Sequence, residues 1–115
     1  MRAIHHVAIT VRDLGEAVEF YTRVLGFGLR TDRPQGFGPG AWLDVGDQQV
    51  HLIAGTPPQA RGQHFAVLVD DLDATVGQLR AAGTQVSDPA PVGTARQSFL
   101  SDPSGNAIEL HERTS

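Results

Sequence analysis

Four side chains that can ligate a divalent metal ion stand at related places in this chain of 115 residues: His6, His51, His64 and Glu109. Imidazole nitrogen and carboxylate oxygen suit borderline ions such as Zn, Ni, Co, Mn or Fe, and the chain has no cysteine to offer sulfur. An ion held by such a set, with a coordination position open, would act as a Lewis acid toward an oxyanion on a substrate. A substrate on which negative charge develops at oxygen is then expected, provided that the fold brings these distant residues together.

An internal repeat relates the four residues in pairs. The segment HHVAITVRDLGEAVEFY from residue 5 aligns with QHFAVLVDDLDATVGQL from residue 63, so that His6 falls on His64. At the same offset VHL at 50–52 aligns with IEL at 108–110, which places His51 on Glu109. The chain is therefore predicted to consist of two related halves.

Each half is predicted to be a strand, a helix and three further strands. After a first strand at 3–11, Asp13 caps a helix that Gly26 ends, and Asp71 and Gly83 do the same in the second half. The later strands are predicted at 28–33, 41–45, 48–53, 84–87, 95–100 and 106–111. Turn residues at 46–47 and 102–106 predict hairpins between the last two strands of each half.

Strand alternation then places the four polar residues on equivalent faces. Apolar residues flank His51 and Glu109, and Phe65, Val67 and Val69 form the apolar side of the strand that begins at His64. His64 repeats His6, so each of the four faces away from the side that the helices cover. A lone strand histidine is more often hydrogen-bonded or solvated, and a lone glutamate is usually solvated. Because all four share repeat position and parity, which core packing does not require, a ligand set is favoured over that alternative.

Composition narrows the class of protein. Forty per cent of residues are hydrophobic and 19% are charged, as in one globular domain. The formal net charge of −4 comes without a run of Lys or Arg, so neither nucleic acid nor an anionic membrane is an expected partner. The longest apolar run, FAVLV at 65–69, is too short to span a bilayer. We therefore expect a cytoplasmic protein with a small-molecule partner.

Three segments carry a resemblance to a known family. HHVAITVRDLGEAVEFYTRVLGF, HFAVLVDDLDATVGQLRAAG and FLSDPSGNAIELHE together resemble the vicinal oxygen chelate superfamily, which includes glyoxalase I, bleomycin-resistance proteins and extradiol dioxygenases. The resemblance implies an α+β fold of two paired βαβββ modules, whose eight strands form an open, cup-shaped mixed sheet with the helices outside. One domain, 1–115, would then contain module 1 (1–56), a linker (57–61) and module 2 (62–115).

The resemblance also assigns roles. It implies that His6, His64 and Glu109 are metal ligands, with His51 at the fourth position, where glyoxalase I carries glutamate. Because this departure removes one of two carboxylates, Glu109 is the residue for which we expect a general-base role, and His51 is a weaker candidate because metal binding competes with its basicity.

Four further residues are candidates for a substrate pocket: Phe37, Trp42, Arg96 and Phe99. Phe37 lies in a glycine- and proline-rich loop that is either near the mouth of the cup or an ordinary connection. The repeat-equivalent aromatics Trp42 and Phe99 either stack on a guest or pack in the core. Arg96 either pairs with an anionic substrate or is solvated.

The expected function is that of a metal-dependent, homodimeric enzyme resembling glyoxalase I, of lyase or isomerase type, with a small oxygen-rich substrate. Each cup would be completed within one chain or by modules from two chains. Two alternatives stay open: a non-catalytic drug- or metabolite-binding protein like the bleomycin-resistance group, and an antibiotic-inactivating metalloenzyme.

Overall fold

The computed structural model describes residues 1–59 and 61–113. Residue 60 of the predicted linker and residues 114–115 of the predicted second module lie outside the described residues. No helix within the described ranges is long and apolar enough to cross a membrane.

The described chain forms two four-stranded mixed sheets, each built from one strand–helix–three-strand module. In the first the strand order is β1-β4-β3-β2, and in the second it is β5-β8-β7-β6. The first and last strands of each module pair in parallel, and the other neighbours pair antiparallel. The strands are β1 His6–Val11, β2 Gly28–Leu29, β3 Gly40–Val45, β4 Gln48–Ala54, β5 His64–Leu68, β6 Ala90–Val92, β7 Ala95–Ser101 and β8 Ala107–Glu112. The predicted α+β class with paired βαβββ modules is confirmed.

The helices begin where the caps predict. The Asp13 carboxylate accepts the Glu16 N–H at 2.9 Å at the start of α1, Leu14–Glu19, and the Asp71 carboxylate accepts the Ala74 N–H at 3.0 Å at the start of α2, Leu72–Ala81. The first helix differs from an uninterrupted α-helix, because Phe20–Val24 is π-helical and the Leu25 N–H donates to the Phe20 carbonyl. The spacing of apolar residues is too coarse to distinguish these two windings.

Two of the predicted strands are wrong in extent or position. The strand predicted at 28–33 is reduced to two residues. Residues 84–87 are not a strand, and Ala90–Val92 instead forms the edge of the second sheet. Ser87 makes two hydrogen bonds with Phe99 of β7, and one of them uses the serine hydroxyl. Pro91 lacks an N–H, which an edge strand tolerates because one of its sides has no partner.

The two modules make up two compact units. The first comprises Met1–Gln59 together with the turn Asp102–Asn106, and the second comprises Ala60–Ser101 and Ala107–Ser115. In the first unit Asp102 is 4% exposed and accepts the hydroxyl of the fully buried Tyr21 at 2.8 Å. This turn therefore packs as part of the first unit, although it connects two strands of the second.

Strand alternation in both units follows the predicted faces. Val50 and Leu52 on β4, and Ile108 and Leu110 on β8, are all buried at 3% exposure or less and contribute to the apolar cores. The residues between and beside them lie on the opposite face of each sheet, where the candidate ligands are found.

Candidate metal centre

In the first unit the two predicted ligands lie on adjacent parallel strands. His51 on β4 pairs with Ala8 on β1, two residues from His6, so the two rings are diagonal neighbours on one face. Their centroids are 3.8 Å apart and their planes differ by 12°. Trp42, directly opposite His51 on β3, stacks on its other side at 4.6 Å and 13°. His6, His51 and Trp42 therefore form a three-ring stack across three strands, called the ring stack below.

Hydrogen bonds orient both rings of this pair. His51 Nε2 lies 2.8 Å from Gln49 Oε1, which can only accept, so this nitrogen donates and the lone pair stays on Nδ1. His6 Nδ1 lies 2.9 Å from His5 Nδ1. Burial, followed by the adjacent His6, lowers the pKa of His51 below the usual value for histidine. His51 is therefore kept neutral, as a metal ligand must be.

In the second unit His64 on β5 and Glu109 on β8 are in direct contact. His64 Nε2 lies 3.1 Å from Glu109 Oε1, and Nδ1 of the same ring lies 2.8 Å from the Gly62 carbonyl oxygen. Because that carbonyl can only accept, Nδ1 carries the proton, and a neutral ring directs its Nε2 lone pair toward the carboxylate. Two acceptors at this separation require a cation between or beside them, which is either a proton or a metal ion.

The separation of these two atoms is compatible with either cation. Ligand nitrogen and oxygen atoms that each lie about 2.1 Å from one six-coordinate ion, at a right angle, are about 3 Å apart. A hydrogen bond from an imidazolium N–H to the carboxylate has a similar length, and the observed distance is 3.1 Å. The donor set present, imidazole nitrogen with carboxylate oxygen, is also one that borderline divalent ions accept.

Glu109 has a second histidine partner. Its carboxylate is only 8% exposed, and Oε2 lies 2.8 Å from His111 Nδ1 on the same strand. Phe99 lies directly opposite Glu109 on β7, with its ring at 5.4 Å and near a right angle to that of His64. Each unit thus places one aromatic ring opposite its β4 or β8 candidate ligand, as the repeat predicts.

The structure brings the predicted ligands together two by two, one pair in each unit. Within residues 1–59 and 61–113, no three or more His, Asp or Glu side chains converge as a group that would hold a metal ion by itself. A shared site for all four residues stays a prediction.

The remaining candidates lie in different surroundings. Phe37 is 66% exposed. The Arg96 guanidinium donates to both carboxylate oxygens of Asp73, at 2.9 and 3.0 Å, and lies 3.5 Å from Glu112, so its charge is already balanced. The Asp73 carboxylate raises the pKa of Arg96 and has its own pKa lowered by the same contact.

Sequence reasoning missed two residues that contact the candidate ligands. Gln49 and His111 share strand parity with His51 and Glu109 and lie two residues from them. That parity was the available signal. His111 lies near the end of β8, and its ring is half-buried against Glu109.

The fold and these paired sites define a two-module α+β protein with candidate ligands at repeated positions. Residues 3–110 match the family model for the Glyoxalase/Bleomycin resistance protein/Dioxygenase superfamily, and the chain belongs to that superfamily.

Individual relatives differ in what their names describe. A Vibrio cholerae protein named "Probable lactoylglutathione lyase" is 34% identical over 93% of this chain and 88% of its own length. A Bacillus anthracis protein assigned to the glyoxalase family superimposes with a TM-score of 0.89 at 26% identity, covering 99% of this chain and 97% of its own. TnmS3, an antibiotic binding protein from Streptomyces sp. CB03234, has a TM-score of 0.85 at 27% identity over 99% and 98% of the two chains. Two Arabidopsis thaliana relatives are longer, and the chain spans 36% and 44% of their lengths.

Proposed function

We propose that this chain is a metal-dependent enzyme of glyoxalase type, a lyase or isomerase for a small oxygen-rich substrate. The observation that carries the proposal is the contact of His64 Nε2 with Glu109 Oε1, which lie 3.1 Å apart on a mostly buried glutamate. Such an arrangement is stable when a cation is shared between the two atoms. The lactoylglutathione lyase name of a relative 34% identical over most of the chain supports the same class of enzyme.

We assign both ligand pairs to one divalent ion. His6 and His51 offer two imidazoles, and the lowered pKa of His51 keeps its lone pair available near neutral pH. The pairs would meet within one chain or across a homodimer. The ligand set of three imidazoles and one carboxylate differs from that of glyoxalase I, in which a second carboxylate replaces His51.

The mechanism assigns proton transfer to Glu109. A bound divalent ion would supply Lewis-acid stabilisation of an oxyanion on the substrate. Glu109 would take a proton from the substrate carbon beside that oxygen and return it to the neighbouring carbon. Because His111 contacts Oε2, Oε1 is the oxygen that would help to hold the ion and, when it does not do so, would accept the proton. Burial of the carboxylate limits the access of water to this step.

The experiment measures bound metal and turnover separately. Chelator-treated protein is reconstituted with Zn, Ni, Co, Mn or Fe, and the metal content is measured by plasma mass spectrometry. Glu109→Gln keeps the side-chain shape but removes the charge, and we expect metal affinity to fall by roughly tenfold or more. The matched control is Glu19→Gln, an exposed helix residue whose change should alter neither quantity.

Activity is measured with the adduct of glutathione and methylglyoxal, an isomer of S-lactoylglutathione, as the first substrate. Loss of a general base predicts a kcat lower by roughly 10²–10⁴-fold in Glu109→Gln, with a smaller change in KM. Equal rates for Glu109→Gln and Glu19→Gln would refute the base assignment. Absence of any bound divalent ion after reconstitution would refute the enzyme as proposed.

A second candidate function is supported by the ring stack. Trp42 and His51 lie with nearly parallel planes, which is a surface on which a planar ligand could stack. The antibiotic-binding neighbour TnmS3 shares this fold at 27% identity. A non-catalytic binding protein is therefore the reading that a metal-free result would favour, and quenching of Trp42 fluorescence by an aromatic ligand would test it directly.

A further inference from the structure

Arg33 in the first unit lacks the carboxylate partner that several other arginines have among the described residues. Arg30 is paired with Asp32 and Asp44, Arg80 with Asp88, and Arg96 with Asp73 and Glu112. Arg33 is half-buried, and within the described residues no carboxylate lies at ion-pair distance from it. A positive charge that is partly removed from water without a counter-charge is costly unless something else balances it.

Neutral backbone groups hold the Arg33 guanidinium in place. Nη1 donates to the Gly38 carbonyl at 2.9 Å, and Nη2 lies 3.5 Å from the Phe37 carbonyl. Nε is buried and has no hydrogen-bond partner within residues 1–59 and 61–113. Two of five N–H donors are thus engaged, and one of the others has lost water without gaining an acceptor, at a cost that is typically 1–3 kcal/mol.

Gly40 brings the guanidinium onto the face of the sheet that carries the candidate ligands. A Cβ atom on Gly40 would lie 2.6 Å from Arg33 Nη2 and 2.9 Å from Cζ, so the guanidinium occupies space that any other residue at this position would fill. Gly40 and Trp42 are two residues apart on β3 and share one face, and Trp42 stacks on His51. Arg33 therefore lies about 7 Å along the strand from the ring stack.

A shallow depression that is open to solvent lies beside this guanidinium. It has a volume of about 590 Å³ and is lined by Arg30, Thr31, Arg33, Gln35, Gly36 and Gly38, among others. The size suits a small ligand, and a fixed arginine with free donors is the group that most favours a planar or tetrahedral oxyanion.

We propose that Arg33 is an anion-binding residue that holds a carboxylate or phosphoryl group of the ligand beside the metal site. The substrate carrying this group would therefore have two parts, an oxygen-rich reacting end and an oxyanion. The role in substrate selection depends on the proposed function, whereas anion binding by Arg33 does not.

Metal-free protein provides the test, because a bound metal ion could itself bind the anion. Chelator-treated protein labelled with nitrogen-15 is titrated with inorganic phosphate and, separately, with malonate, at constant ionic strength set with chloride. We expect a saturable shift of the Arg33 Nε–H signal with at least one of the two, and the tighter anion identifies the group as phosphoryl or carboxylate. No saturable shift with either would overturn the proposal.

Variants separate this site from general charge effects. Arg33→Gln should lower the affinity for the anion at least tenfold. Arg2→Gln removes the same charge from an exposed residue of the same unit and should change that affinity less than twofold. Equal affinities for the two variants would contradict the proposal. If Arg33→Gln does not fold, Arg33→Lys is the alternative variant. It keeps the charge but not the planar guanidinium, and should lower the affinity for the anion severalfold. Protein that binds phosphate or malonate through Arg33 but takes up no metal would refute the proposed enzyme and leave the anion site standing.

Discussion

Replacing Tyr21 by phenylalanine tests the buried hydrogen bond that attaches the 102–106 turn to the first unit. The Tyr21 ring is fully buried, and its hydroxyl donates to Asp102 Oδ2 at 2.8 Å. A hydrogen bond to a charged group contributes about 1.5–3 kcal/mol to stability. Oδ2 keeps a second donor, the Asn106 Nδ2 group at 2.9 Å, so the carboxylate is not left unsatisfied. We therefore expect Tyr21→Phe to lower the free energy of unfolding by about 2 kcal/mol.

Asp102→Ala should be more severe than Tyr21→Phe. It removes the acceptor of the tyrosine hydroxyl, of the backbone N–H groups of Ser104 and Asn106, and of the Asn106 side chain. Several donors in a mostly buried turn would then lose their partner, with an expected cost of about 4 kcal/mol. We predict that Asp102→Ala lowers the free energy of unfolding more than Tyr21→Phe does. If these hydrogen bonds contributed little to stability, the two variants would lose equal and small amounts.

Urea unfolding followed by circular dichroism and by the fluorescence of the single tryptophan, Trp42, gives both values. Agreement of the two probes checks that the transition has two states. A loss of less than about 0.5 kcal/mol for Tyr21→Phe, which is typical of surface changes, would refute the reasoning.

The ionisation of the same residue gives an independent readout. Burial and the Asp102 carboxylate raise the pKa of Tyr21 far above its ordinary value, so the folded protein should show no tyrosinate absorbance at pH 11. Because the folded pKa is raised, the stabilisation is complete below about pH 10, the pKa of an unfolded tyrosine, and is lost as pH rises above it. Tyr21 is the single tyrosine, so the absorbance reports this group alone. Tyrosinate formation near pH 10 in protein that is still folded would contradict the assignment.

Two further substitutions should stabilise the protein. Gly77 lies inside α2, and an added Cβ would meet nothing within 4 Å, so Gly77→Ala should raise the free energy of unfolding by about 0.5–1 kcal/mol in the same urea assay. A decrease would mean that the helix surface there is covered. Ser98 is fully buried and its hydroxyl has no hydrogen-bond partner among the residues that the structure describes, so Ser98→Ala should raise stability by about 1 kcal/mol. A destabilised Ser98→Ala would show that the hydroxyl does have a partner in solution.

The repeat and the parity of its strands predicted the parts of this protein that depend on local pattern. The two Asp caps, the position of α2 and the helix-covered faces of β4 and β8 all follow from hydrogen bonding and alternation within a few residues. Pairing within each half was also predictable, because each ligand pair is carried by a β1–β4 or β5–β8 contact that the module requires.

Sequence alone assigned His51 to a ligand position by alignment. Tertiary structure added that its ring is stacked between His6 and Trp42, and that Gln49 fixes which nitrogen keeps the lone pair. The difference is physical, because strand parity states the face on which a side chain lies but not the rotamer or hydrogen bond that it adopts there.

The contacts of Arg33 were even less predictable from the sequence than those of His51. In the sequence it is one arginine among several near aspartates, and nothing local distinguishes it from Arg30, which has two carboxylate partners. Which arginine remains unpaired depends on where the loop from residue 31 to Gly40 folds back and on the space that a missing Cβ leaves. The sequence by itself determined the modules, the caps and the residues able to bind a metal ion. Only the tertiary structure decided which charges are balanced and which donors are left over, because such pairings form between residues whose separation along the chain says nothing about their distance in space.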